Sequence, residues 1–103
     1  MKGWVRSVGF HVRLQDLLKT PTVSLLLFLY EKKEARYSEL ARFVKSRGTL
    51  SVALKDLEED GLIVRRVLAS KPVQVTYSLS GKGEEIASHV ASIRERLDTK
   101  KAS

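Results

Sequence analysis

The 103 residues, 43% hydrophobic and 30% charged, suit one small soluble domain whose thin core a partner subunit would help to complete. Nineteen Lys and Arg against twelve Asp and Glu leave a net charge of +7, which points to a polyanionic partner, with nucleic acid the commonest and an acidic membrane surface the rival. The chain has no cysteine, which excludes disulfide frameworks, thiolate metal sites and thiol redox sensing. The longest apolar run, residues 25–30, is far below the ~20 residues that cross a bilayer. Residues 1–10 contain no apolar block of the signal-peptide kind. The expectation is a soluble, cytoplasmic protein without membrane association.

No repeat or Gly/Ser-rich linker divides the chain, so residues 1–103 read as a single domain. Residues 1–9 fit neither the helical nor the strand period. From Phe10 a stripe of Phe10, Leu14 and Leu17 predicts an N-terminal helix over 10–19, ending before Pro21 because the residue preceding a proline avoids the helical region. Thr20 then caps a second helix over 21–31, with Pro21 in its first turn. That helix is apolar on nearly every side from Val23 to Tyr30, the pattern of a buried central helix. Ala35, Arg36 and Tyr37 suit a very short strand. Ser38 caps a third helix over 39–46, with Leu40, Phe43 and Val44 on one face.

Gly48 supplies a tight turn, and Thr49 or Gly48 caps a helix over 49–60 whose buried face is Leu50, Ala53, Leu54 and Leu57. Gly61 closes it in the left-handed conformation. Two strands, 62–67 and 73–79, make a hairpin, the second with Val73, Val75, Tyr77 and Leu79 on one side. Ser80 caps the last helix, 81–98, striped by Ile86, Val90, Ile93 and Leu97. The fold class is mainly α with a small β-hairpin. A helix-turn-helix unit at 38–61 followed directly by a hairpin at 62–79 is the winged-helix arrangement.

Three segments carry a family resemblance: Arg36-Tyr37-Ser38-Glu39-Leu40, the run from Leu50 to Ile63 containing Leu54-Lys55-Asp56-Leu57-Glu58-Glu59-Asp60-Gly61, and Tyr77-Ser78-Leu79-Ser80-Gly81-Lys82-Gly83. Over about residues 20–85 the chain resembles winged-helix transcription regulators, most closely the HxlR group, with the MarR and ArsR groups as near neighbours. It lacks the cysteine and the Gly-Lys-Trp segment often found upstream in the HxlR group. The resemblance implies a transcription regulator that binds double-stranded DNA.

The residues support that expectation chemically. A helix fits the major groove, and side chains at its N-terminal end reach base edges. At that end Arg47, Thr49, Ser51, Val52 and Lys55 are candidates: Thr49 and Ser51 for phosphate or base, Val52 for a thymine methyl, Lys55 for phosphate or guanine. Free N–H groups at the helix start add an anion site. Asp56, Glu58, Glu59 and Asp60 oppose the macrodipole at the other end and would be repelled by phosphate, so that end tilts away from a duplex. The bland alternative is a solvated face over a core stripe. Arg42 and Lys45 on the preceding helix position the module on phosphates, and Lys71 at the wing tip reaches backbone or minor groove. Arg65 and Arg66 reach phosphate or pair with local acids.

Other chemistries find little support. His11 and His89 lie far apart, and no Cys or His/carboxylate cluster suggests a metal or cofactor. Gly81-Lys82-Gly83 lacks the spacing of a phosphate loop, and Glu84 and Glu85 complement a helix start. No nucleophile has a base, so the chain is not expected to be an enzyme. The stripe of Ile86, Val90, Ile93 and Leu97, with Phe10, Leu14 and Leu17, predicts a homodimer interface, unless the last helix folds back on its own domain. A protein–protein winged helix and a sequence-independent chromatin or architectural binder remain open alternatives, and no effector can be inferred.

Overall fold

A helix apolar on nearly every side needs cover from several neighbours, and the other elements supply it to the leucines of this one. The computed structural model describes residues 13–99. Its elements are α1 (Leu14–Leu18), α2 (Pro21–Lys32), β1 (Glu34–Arg36), α3 (Tyr37–Phe43), α4 (Arg47–Glu59), β2 (Ile63–Leu68), β3 (Gln74–Leu79) and α5 (Gly81–Thr99). The start of α2 is as the sequence predicts: Pro21 occupies its first turn and the Thr20 hydroxyl accepts from the Val23 N–H. Leu25, Leu26, Leu27 and Leu29 are buried, and Phe28 and Tyr30 are half-buried. Around α2 the core is completed by Leu40 of α3, Leu50, Ala53, Leu54 and Leu57 of α4, Ala35, Ile63 and Tyr77 of the sheet, and Ala87 of α5.

The sheet is antiparallel, ordered β1-β3-β2. Ala35 and Arg65 flank Tyr77, while Arg36 and Arg66 flank Thr76. As the central strand, β3 buries both Tyr77 and Thr76 although adjacent residues face opposite sides. The alternation of faces is kept, but both faces are buried in the middle of the strand, and Val73 lies outside it, 64% exposed.

Three predicted boundaries shift. α3 begins at Tyr37, with Arg36 as its N-cap residue, so Ser38 sits inside the first turn and not at the cap; the Glu39 carboxylate accepts from the Arg36 N–H at 2.9 Å. α3 ends at Phe43, because Val44 is extended (φ −113°, ψ 106°), and Lys45 belongs to the connection and not to a helix. α4 begins at Arg47, where the Ser46 hydroxyl accepts from the Thr49 N–H at 3.3 Å, so neither Gly48 nor Thr49 is the cap and Gly48 is helical. Of the predicted helix over 10–19, Leu14–Leu18 is observed, and Phe10 lies outside the described residues.

The junction of α4, the hairpin and α5 is tightly built. Gly61 has φ 76°, its N–H donates to the Glu58 carbonyl and the Leu62 N–H to the Leu57 carbonyl, the paired bonds of a Schellman ending. Ser80 joins this turn to the start of α5: its N–H donates to the Leu62 carbonyl, its hydroxyl donates to the Gly61 carbonyl at 2.6 Å and accepts from the Gly83 N–H at 3.0 Å. Gly83 lies directly against this turn. A Cβ there would stand 2.8 Å from the Leu62 carbonyl carbon and closer still to its oxygen, whereas a Cβ at Gly81 would meet nothing. Gly83→Ala is therefore expected to destabilise the fold by about 3 kcal/mol, on the order of 15 °C in Tm, while Gly81→Ala changes it by less than about 0.5 kcal/mol. Thermal melts of the two variants check the contrast.

Candidate nucleic-acid interface

Burial of Leu50, Ala53, Leu54 and Leu57 sets how α4 is rotated, and with it which residues face outward. At about 100° per residue, Val52 and Lys55 lie opposite that buried line, Arg47 and Ser51 on one flank, and Thr49 on the other. All five are exposed, Val52 at 62%. The Thr49 flank borders a shallow groove toward Pro21 and Thr22 of α2. With the Thr49 N–H taken by Ser46, the N–H groups of Arg47 and Gly48 have no partner among the described residues and point out of the helix start. They add partial positive charge to that of Arg47, Lys45 and Lys55.

The far end of α4 has the opposite character. Asp56, Glu58, Glu59 and Asp60 are exposed, and none forms an ion pair among the described residues. The Lys82 ammonium does approach, but it donates to the backbone carbonyl of Asp60, at 3.2 Å.

α4 packs directly on α2, and α3 is tied to α2 at both ends. At its start, Glu39 receives the Lys32 ammonium at 2.7 Å as well as the Arg36 N–H. At its end, the Phe43 ring stacks on Phe28, centroids 4.6 Å apart. The Lys32 ammonium also lies 5.9 Å from the Phe28 ring centre, so the two fastenings share a neighbourhood. Hydrogen bonding from Lys32, reinforced by the Arg36 N–H, lowers the Glu39 pKa below the usual glutamate value.

In the hairpin, the consecutive arginines diverge. Arg65 shares a face with Tyr77, toward the helices; Arg66 shares the opposite face with Thr76. A cleft of about 520 Å³ opens between the wing and the start of α3, lined by Arg36, Tyr37, Ser38, Arg65 and Gln74 among others. Arg36 was not singled out from the sequence. It joins the cationic set only through the pairing of β1 with β3, a contact some forty residues apart in the chain. Arg42, Lys45 and Lys71 are exposed, Lys71 at the tip of the wing.

The residues expected at a dimer interface separate into two groups. Ile86 and Val90 are half-buried against the chain's own core. Leu14, Leu17 and Ile93 are 47%, 46% and 40% exposed, and Leu97 borders a cleft of about 450 Å³ between α1, α2 and α5. The Arg94 guanidinium pairs with Glu31 of α2 at 3.3 Å, holding the second half of α5 to the central helix. His89 is exposed, and His11 lies outside the described residues. No group of potential metal ligands occurs among the described residues, and no helix there is long and apolar enough to cross a membrane.

A helix-turn-helix whose second helix runs into a two-stranded wing, over a three-stranded antiparallel sheet, defines a winged-helix DNA-binding module. Residues 19–101 match the model of the HxlR-like helix-turn-helix family, and the chain belongs to that family. It is 35% identical over 74 residues to the HTH-type transcriptional regulator YvaP of Bacillus subtilis (strain 168), covering 70% of this chain and 68% of that one. It is 41% identical over 63 residues to the HTH-type transcriptional regulator YdzF of the same organism, 56% of this chain and 58% of that one. Its structure is similar to that of diamide-treated YodB from B. subtilis, with a TM-score of 0.65 and 25% identity, covering 82% and 86% of the two chains. The protein is a DNA-binding transcription regulator by family, and not an enzyme.

The Glu39 fastening has a pH signature. Its folded-state pKa is lowered, so the stabilisation it supplies is complete above the ordinary glutamate range and disappears as pH falls through the lowered value. Glu39→Gln is expected to be less stable than the wild type at neutral pH, with the difference in Tm shrinking toward zero in acid. Melts of both proteins from pH 7 down to about 3 measure it.

Proposed function

We propose that the chain, as a single domain, is a cytoplasmic, homodimeric regulator that reads the major groove of duplex DNA with the first half of α4 and the backbone or minor groove with the wing. The observation that carries this is the charge division along α4: open N–H groups with Arg47 at one end, four carboxylates without ion pairs among the described residues at the other, and Lys55 between them. Only the part ahead of Asp56 can approach phosphate without repulsion, which brings the N-terminal side of the helix to the bases. Ser51 and Lys55 reach base edges, Val52 meets a thymine methyl, and Thr49 and Arg47 divide between base and phosphate. Lys45 and Arg42 sit on the adjoining backbone. Arg36 and Arg65 serve phosphate from the cleft between α3 and the wing, with Arg66 and Lys71 farther out along the hairpin.

The partner subunit covers the exposed apolar residues of α1 and α5. Leu14, Leu17 and Ile93 form the centre of that contact, continued by Leu97, with the half-buried Ile86 and Val90 at its margin; Phe10, which shares the stripe of Leu14 and Leu17 in the sequence, lies outside the described residues. Such a dimer places two copies of α4 on successive major-groove faces about 34–36 Å apart.

Selection of sites from random duplexes is expected to return a palindromic motif. Affinity should fall steeply with salt, since each neutralised phosphate contributes a slope of about −0.9. Ser51→Ala or Lys55→Ala should cost about 1–3 kcal/mol and relax preference at one position in each half-site. Lys71→Ala should weaken all sequences alike and reduce the salt slope. Equal losses on selected and random DNA for the Ser51 and Lys55 variants would mean that α4 does not read bases.

For the assembly, Ile93→Asp is expected to sediment as a folded monomer that retains salt-dependent binding and loses most of its preference for the palindrome. Ile93 is exposed within its own chain, so the substitution leaves the core intact. A wild-type protein that is monomeric at micromolar concentration and still binds one half-site tightly would refute the dimer.

A further inference from the structure

The hairpin is unusual in what it exposes. Residues 61–83 contain no Asp or Glu, while Arg65, Arg66, Lys71 and Lys82 are all cationic. Within that stretch Val64, Val67, Leu68 and Val73 are 44%, 52%, 38% and 64% exposed. Ile63 and Tyr77 anchor the base of the hairpin in the core, and every residue of β2 beyond Ile63 is exposed. At ~3.3 Å per residue, the outer portion of β2 and the loop beyond it extend well past that anchor. Leu68 pairs with Gln74 at the last rung, and Val73 follows directly on the other side of the loop. The loop is tied internally: the Ser70 N–H donates to the Leu68 carbonyl and the Ser70 hydroxyl to the Pro72 carbonyl, both at 2.8 Å.

A surface that only contacted phosphates would need cations and polar groups. Aliphatic side chains in water at such a tip are unfavourable unless a partner covers them. The surrounding charge selects the partner, because an acid-free, cationic hairpin complements a polyanion. Within a duplex, aliphatic groups find an apolar surface where side chains enter the minor groove and wedge between stacked base pairs.

We propose that the wing tip is a minor-groove wedge: Leu68 enters beside one base step, Val73 on the other side of the ribbon packs against the groove wall, Lys71 holds the flanking phosphate, and the duplex bends toward its major groove and α4. This rests on the assignment of the wing to DNA made above. It adds a source of specificity remote from α4. The step that opens should be an easily unstacked pyrimidine–purine step, TA or CA/TG, at a fixed distance from the bases that α4 reads.

The test uses the full chain and a selected duplex with end-attached dyes for energy transfer, and 2-aminopurine at the step facing the wing. The wild type is expected to bend the DNA by roughly 20–90° and to raise the 2-aminopurine fluorescence. The double variant Leu68→Ser/Val73→Ser should bind about tenfold or more weakly, the loss of burying aliphatic side chains, with an unchanged salt slope and a straighter duplex. Lys71→Ala should keep the bend and lose about 0.9 from the slope. A straight duplex with quenched 2-aminopurine under the wild type would overturn the wedge, as would a bend that survives the double variant. A double variant that changes the oligomeric state and leaves the bend intact would assign the tip to a contact between copies and overturn it equally. Absence of binding to any duplex would instead overturn the DNA assignment itself.

Discussion

Everything in this molecule is arranged around the need to keep α2 dry. Its buried leucines face in several directions, so no single neighbour can cover it: α4 and α5 pack on it, the sheet supplies Ala35 and Tyr77, and α3 adds Leu40. Burying each such leucine is worth about 1.5–3 kcal/mol, which makes α2 the largest source of stability in a chain of this size. It is also the frame of reference for function. α3 has only seven residues and little stability of its own. It is held by two fastenings to α2, the Glu39–Lys32 ion pair at one end and the Phe43–Phe28 stack at the other.

From there rigidity passes along the chain. α4 ends in a Schellman turn, and the same turn supplies the carbonyls to which Ser80 bonds at the start of α5. Gly83 allows α5 to approach the Leu62 backbone more closely than any side chain would permit. Strands β2 and β3 leave and return through this one junction, so the base of the wing is tied to the end of α4. The base of the wing and the end of α4 are therefore fixed relative to one another. Proteins that must engage two adjacent grooves at once benefit from that coupling, because a loosely attached wing would lose freedom on binding.

The electrostatic design is a division within single elements. α4 carries Arg47 and its open N–H groups at one end and its carboxylates at the other, an order that works against the helix macrodipole and so has a cost for folding alone. The hairpin is cationic throughout, and its apolar residues sit beside those cations. The net charge of +7 says only that an anionic partner suits the chain; the division shows that the positive charge is not spread evenly over its surface.

Much of this is legible in the amino-acid sequence alone. Period and punctuation locate α2, α4 and α5, with Thr20, Gly61 and Ser80 as the residues that start or stop them, because each acts through bonds to neighbours a few positions away. The exposed residues of α4 are likewise legible, since burial of Leu50, Ala53, Leu54 and Leu57 leaves the others facing out. Local signals err where two capping residues compete: Ser46 prevails over Gly48 and Thr49, and Arg36 with Glu39 over Ser38. What only the tertiary structure decided depends on segments far apart in the chain. The strand order placed Thr76 in the middle of the sheet and brought Arg36 beside the wing; the packing of α5 made Gly83 indispensable and turned Ile86 and Val90 inward while leaving Ile93 outside. A sequence records the preferences of each segment for its own neighbours; which distant surfaces meet is settled by the arrangement that buries the leucines of α2.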